Sequence, residues 1–185
     1  MNLAALLSSR EGRISRKSFW IAILCLGLVN LAISLIVSLS IGGGALGNMM
    51  AGLQAGGTSP EQRDSLLASG RSGAWASLVI TLVFAYPAYA VMVKRRHDRN
   101  SAGLDVLVFL GLTLLSLLVG ALGIGMEVMQ MPLGNGTTLP VPVPGPALAA
   151  LQMANGIFAL YLLVVLGFLR GTAGENDYGP DPLAG

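Results

Sequence analysis

Charge is what this 185-residue chain has least of. Asp, Glu, Lys and Arg make up 11% of it, against about 25% in an ordinary soluble domain. Hydrophobic residues fill 54%. The shortage excludes a soluble protein built of amphipathic helices, which would carry a charged face at a 3.6-residue period. None of the long apolar runs has such a face. Cys25 is the single cysteine, so no disulfide can form within the chain, and a lone thiol in an apolar run behaves as a small hydrophobe. His97 is the single histidine. With only scattered carboxylates to join it, no set of three or four metal ligands emerges. No catalytic, cofactor-binding or metal-binding residue is assigned, no cofactor is expected, and no nucleic-acid partner is expected. Nine acidic and eleven basic residues nearly cancel, so the placement of the charges says more than their sum.

What is present in quantity is uninterrupted hydrocarbon. A bilayer core of about 30 Å takes about 20 mostly apolar residues in a helix, and four segments qualify: 19–41, 74–93, 104–126 and 148–169. None has a charged residue in its interior. The first is longer than a signal-peptide core and no A-x-A cleavage site follows it, so it reads as a retained anchor. Between the second and third lies VMVKRRHDRNSAG. Each charge at a helix centre costs about 2.5–3.5 kcal/mol to insert. Burying Lys94, Arg95, Arg96, Asp98 and Arg99 together would cost on the order of 12–17 kcal/mol. The run must be a loop.

The expected protein is all-α and polytopic, with four transmembrane helices and both termini on one side. Its segments are 1–18, a cytoplasmic amino-terminal stretch; the four spans; an outer loop 42–73; a basic cytoplasmic loop 94–103; a Pro-rich outer loop 127–147; and a cytoplasmic tail 170–185. Nine of the eleven basic residues share the side of the termini, and only Arg63 and Arg71 lie opposite. The positive-inside rule makes the richer side cytoplasmic.

Polar residues inside the spans, among them Asn30, Ser34, Ser38, Gln152 and Asn155, read first as helix-packing hydrogen bonders, worth about 0.6 kcal/mol each. Pro87 should kink the second span, and Gly111, Gly120, Gly123 and Gly125 should let the third approach its neighbours closely. In the outer loops, Ser59-Pro60-Glu61 resembles a helix start, with a short surface helix over about 60–69. The prolines of 127–147 favour an extended, polyproline-like connector.

Three polar motifs fall on the inner side: Gly12-Arg13-Ile14-Ser15-Arg16-Lys17-Ser18-Phe19-Trp20, then Arg95-Arg96-His97-Asp98-Arg99-Asn100-Ser101-Ala102-Gly103, then Gly171 through Pro182 with Gly174, Asn176, Tyr178, Gly179 and Asp181. Together, over about residues 10–183, they resemble the domain of unknown function 805 family of small bacterial inner-membrane proteins. The chain departs from that pattern where Ala102 separates Ser101 from Gly103 and where Leu104-Asp105 replace aromatic residues. The resemblance implies a bacterial inner-membrane location and supplies no activity.

Candidate contacts for anionic headgroups or a partner are Arg13, Arg16, Lys17, Arg95, Arg96, His97, Asp98 and Arg99, each cation near the surface contributing about 1 kcal/mol. Phe19 and Trp20 read as interfacial anchors. His97 and Asp98 are neighbours on a helix and diverge by about 100°, so they make a poor catalytic pair; Asp98 is expected to pair with an arginine and order the loop. Asn176, Tyr178 and Asp181 form a candidate clasp that folds the tail over the basic loop, with Asp181 able to reach Arg13 or Arg96. The favoured role is structural, or binding of lipid or partner. The partners are the bilayer and its anionic phospholipids, with a second copy or another membrane protein as further candidates. A small transporter or channel subunit is the alternative, and a phospholipid-linked membrane enzyme, with His97 and Asp98 as candidates, the third reading.

Overall fold

The computed structural model describes residues 3–55, 59–134 and 137–184. The chain is mostly helical, in the order α1 (Leu3–Ser8), α2 (Arg16–Ala55), α3 (Pro60–His97), α4 (Leu104–Ala121), β1 (Met126–Gly134), β2 (Thr137–Pro144) and α5 (Pro146–Leu162), and α5 runs on into a π-helical turn, Leu163–Phe168. Four stretches are long and apolar enough to cross a membrane: Arg16–Ser40, Arg63–His97, Leu104–Ala121 and Pro146–Phe168. Their side chains suit lipid rather than water. Leu28 and Leu39 are 66% and 71% exposed, in company with Leu24, Leu31, Leu35 and Ile36 on α2 alone.

The outer segments differ from the sequence expectation. Most of 42–73 is helix. α2 continues through its glycines to Ala55, and α3 starts at Pro60. Each glycine costs a helix about 1 kcal/mol relative to alanine, but it removes no hydrogen bond, so a helix already nucleated in the span propagates until a stronger signal stops it. Proline at a first helical position starts α3, since its missing N–H would have had no partner there. No separate surface helix forms over 60–69, because that stretch is the first part of α3. Pro87 lies inside α3 without ending it.

The Pro-rich connector is a two-stranded antiparallel ribbon rather than an isolated extended segment, so the chain is not wholly α. Pro140, Pro142 and Pro144 stand opposite Gln130, Val128 and Met126. Two-residue spacing puts all three prolines on the edge that faces away from β1, where a ladder needs no N–H. α4 ends five residues before the expected 126. Gly123 (φ 75°) donates to Gly120 O, and Ile124 donates to Val119 O. This is a Schellman ending that takes a left-handed residue at its turn. Gly123 and Gly125 therefore serve the exit from the helix, and Gly123 also permits a close approach: a methyl group there would stand 2.9 Å from the Arg71 side chain of α3. At Gly120 an added methyl group would lie 3.8 Å from the Ala74 methyl of α3, an ordinary contact.

By contacts the chain forms two compact units. One comprises residues 1–32, 81–113 and 154–185; the other comprises 33–80 and 114–153. The second contains the ribbon and a cavity of about 310 Å³ lined by Ser34, Ser38, Ser69, Ser77 and neighbouring apolar residues. In the first, Ile14, Phe19, Ala22, Val91, Val93, Val106, Leu162, Val165 and Leu166 make a buried apolar cluster. Within that unit the α3–α4 corner is another Schellman ending: Asn100 (φ 53°) donates to His97 O and Ser101 to Arg96 O. Asn tolerates the left-handed conformation that most residues avoid.

Candidate functional site

The helix that ends at Phe168 leaves carbonyls without helical partners, a cost every helix end must meet, and here each is met by a side chain. Arg99 donates to Val165 O at 3.1 Å and Arg95 to Leu166 O at 2.8 Å. Trp20 Nε1 donates to Gly167 O at 3.2 Å, Arg16 to Phe168 O at 3.3 Å, and Arg95 again to Leu169 O at 2.6 Å. Five consecutive carbonyls are thus taken by donors from α2, from α3 and from the turn that follows α3. The C-terminal end of a helix is its negative pole, so cations suit it.

Beside this cap lies Asp98, whose side chain is 5% exposed. It bridges two guanidinium groups, accepting from Arg13 Nε and Nη2 at 3.2 and 3.1 Å and from Arg95 Nη1. Arg13 uses its remaining donors on the tail: Nη1 reaches Gly174 O at 2.7 Å and Gly179 O at 3.1 Å, and Nη2 reaches Thr172 O at 2.6 Å. All five of its N–H groups are spent, the full capacity of the fork. The backbone carbonyl of Asp98 accepts both the N–H and the hydroxyl of Thr172. Gly171 is required next to it. A methyl group there would stand 2.5 Å from the Asp98 carboxyl carbon.

The tail closes over the loop. Asn176 Nδ2 donates to His97 O at 2.9 Å and to Thr172 Oγ1 at 2.8 Å. The Tyr178 ring stacks on His97 with centroids 3.9 Å apart, while His97 Nδ1 donates to Gly12 O at 3.3 Å. Asp181 makes no ion pair among the described residues and binds its own turn instead, accepting from Leu183 N at 2.9 Å and Gly174 N at 3.1 Å. Those backbone donors, Leu183 first and then Gly174, hold its carboxyl below the usual aspartate range. The expected reach to Arg13 or Arg96 gives way to this local Asx-type turn, and Arg96 goes to Asp105 at 3.1 Å.

His97 and Asp98 go to separate places, as their divergence on the helix requires. Among the described residues no three His, Cys, Asp or Glu side chains gather in a metal-binding group. Arg95 is 1% exposed and Arg99 partly buried, both directed to carbonyls. Arg16 and Lys17 are exposed. Phe19, 3% exposed, belongs to the apolar cluster, and Trp20 packs edge-on against Phe168.

Several contributors were not legible beforehand. Lys94, read only as loop charge, donates to Leu6 O at 2.8 Å, and the Tyr86 hydroxyl donates to Ser8 O at 2.7 Å. Together they dock α1, a six-residue helix. Thr172 and Gly171 lay inside a quoted motif, but nothing local showed that Asp98 was their partner.

Four long apolar helices and an arginine–aspartate layer joining three separate segments define a multi-pass helical membrane protein. The chain belongs to the family described as Protein of unknown function (DUF805), whose pattern matches residues 7–180. No curated protein and no solved structure matches it.

Proposed function

We propose that this is a multi-pass protein of the bacterial inner membrane with both termini cytoplasmic. Its polar layer locks the cytoplasmic ends of the spans and presents the remaining cations to anionic headgroups or to a partner membrane protein. The observation that carries the reading is Asp98 held between Arg13 and Arg95, with the tail tied into the same network. A layer so fully spent on internal bonds suits a structural and docking role better than a chemical one. Headgroup contact then falls to Arg10, Arg16, Lys17 and Arg170, which are exposed. Arg13, Arg95 and Arg99 hold the layer together.

Orientation is tested with single cysteines in a Cys25→Ser background. A membrane-impermeant maleimide should label Glu175→Cys in inverted vesicles but not in intact cells, and Asp64→Cys in intact cells. The reverse pattern refutes the orientation.

The transporter reading rests on the cavity of about 310 Å³ lined by Ser34, Ser38, Ser69 and Ser77, whose lining includes no charged residue. Asn155, a polar residue of the fourth span, donates to Thr113 Oγ1 at 3.0 Å. Solute flux into liposomes that falls in a Ser34→Ala/Ser38→Ala variant would favour transport.

A further inference from the structure

One cleft on the polar layer has an electrostatic imbalance that the internal bonding does not remove. It measures about 270 Å³, and its lining includes Ser15, Arg16, Arg95, Arg170, Thr172 and Asp181, with Asp98 behind them. Three guanidinium groups there face two carboxylates. Asp98 is already committed to Arg13 and Arg95. Both oxygens of Asp181 hold backbone N–H groups of Gly174 and Leu183. Arg16 has a single carbonyl bond, at 3.3 Å, and Arg170 has no hydrogen-bond or ion-pair partner among the described residues.

The amino-terminal end of α2 opens at the same place. Its first turn holds no acidic residue and begins with Arg16 and Lys17. Cations at the positive pole of a helix are unfavourable, and an anion is favoured. Ser15 accepts from Ser18 N through its hydroxyl and from Phe19 N through its carbonyl. The N–H groups of Arg16 and Lys17 are left without partners among the described residues.

We infer that this cleft between Arg16 and Arg170 binds a phosphate group, carried by a lipid headgroup or free in solution. Planar guanidinium groups match phosphate oxygens in pairs. The cleft volume of about 270 Å³ accommodates a phosphate with a short substituent. The inference rests on the proposed cytoplasmic layer and gives its docking face a ligand class.

The test uses the full chain in neutral detergent. Native mass spectrometry measures retention of phosphatidylglycerol against phosphatidylcholine, and thermal shift measures inorganic phosphate against chloride at equal ionic strength. Arg170→Gln removes a side chain with no internal partner, so it keeps the fold; Arg16→Gln/Arg170→Gln removes both jaws; Arg10→Gln is the charge control. The wild type should retain one phosphatidylglycerol per chain, and the double variant should bind it at least about tenfold more weakly, with Arg10→Gln unchanged. Stabilisation by inorganic phosphate that the double variant loses, with no preference for phosphatidylglycerol, assigns the site to a soluble phosphate. Equal retention by wild type and both Arg170 variants, or an equal loss in Arg10→Gln, overturns the site. Maleimide labelling reports orientation independently, so a failed orientation and a failed site give different results.

Discussion

Replacing Asp98 with asparagine should be the most damaging single-atom change in the protein. The carboxylate takes three N–H groups from two guanidinium groups, and the Arg13 and Asp98 side chains are 1% and 5% exposed. Asparagine keeps one acceptor oxygen, turns an N–H₂ group toward other donors and removes the negative charge. Breaking a buried pair by deleting one partner costs about 3–5 kcal/mol, because the remaining charge is left buried and uncompensated. Arg13 and Arg95 keep their carbonyl partners, which places the expected loss at the lower part of that range. For a chain of 150–250 residues each kcal/mol shifts the midpoint by about 2–4 °C, so a drop of about 6–12 °C follows. Thermal unfolding in detergent, followed by tryptophan emission, reads it, since Trp20 sits on the capped turn. A double-mutant cycle with Arg13→Gln should show a coupling of about 0.5–3 kcal/mol. A midpoint within about 1 °C of the wild type in Asp98→Asn, or strictly additive losses in the cycle, would show that the bridge contributes nothing.

Three further outcomes follow from the same contacts. Gly171→Ala places a methyl group 2.5 Å from the Asp98 carboxyl carbon and should cost about 1–3 kcal/mol by overpacking; an unchanged melting midpoint would mean the tail does not lie against Asp98. Tyr178→Leu removes the stack on His97, worth about 0.5–1.5 kcal/mol, and should speed proteolysis of the tail while leaving the spans protected. Asp181 has its carboxyl held below the usual range by the Leu183 and Gly174 amides, so its contribution is present above its unfolded pKa and lost as pH falls through the lower folded value. Hydrogen exchange at Gly174 and Leu183 should therefore stay slow down to about pH 4 and quicken below it. Asp181→Asn should remove that acid step; a step that persists would assign it to another group.

The four apolar helices were legible because the cost of inserting charge is large and local. The basic run is not all loop, however: Lys94–His97 form the last turn of α3, where cations suit the negative pole of the helix, and the connection to α4 is only residues 98–103. Asp98 was legible in kind, as one acid among four cations, though its second arginine came from a segment 85 residues away. The outer segments were not legible, since glycine and proline act according to their neighbours. The glycines of 42–47 looked like a loop but propagate a helix begun at Arg16. The prolines at 140, 142 and 144 looked like an isolated extended run, but their two-residue spacing is the spacing of an edge strand. Asp181 had two chemically sound partners, an arginine across the layer and an amide two residues on, and the nearer donor won because the turn brings it there at little cost in chain entropy.

The cations on the polar layer divide into two populations that a count of basic residues merges. Lys94 and Arg99 are turned inward onto carbonyls, and Arg13 and Arg95 onto the Asp98 carboxylate and carbonyls together. At the edge of a membrane a helix carbonyl has little water to turn to, and an unsatisfied one costs several kcal/mol, so these side chains answer a demand of the backbone. Arg10, Lys17 and Arg170 answer no such demand. Both populations add to the same positive charge, but they should separate on mutation. Neutralising an inward cation lowers the melting midpoint whatever the lipid. Neutralising an outward one leaves the midpoint in neutral detergent alone and changes only what anionic lipid adds to it. A scan that measured attachment without stability would credit Arg95 with binding lipid when its loss had unfastened the helix end that Arg16 and Arg170 flank.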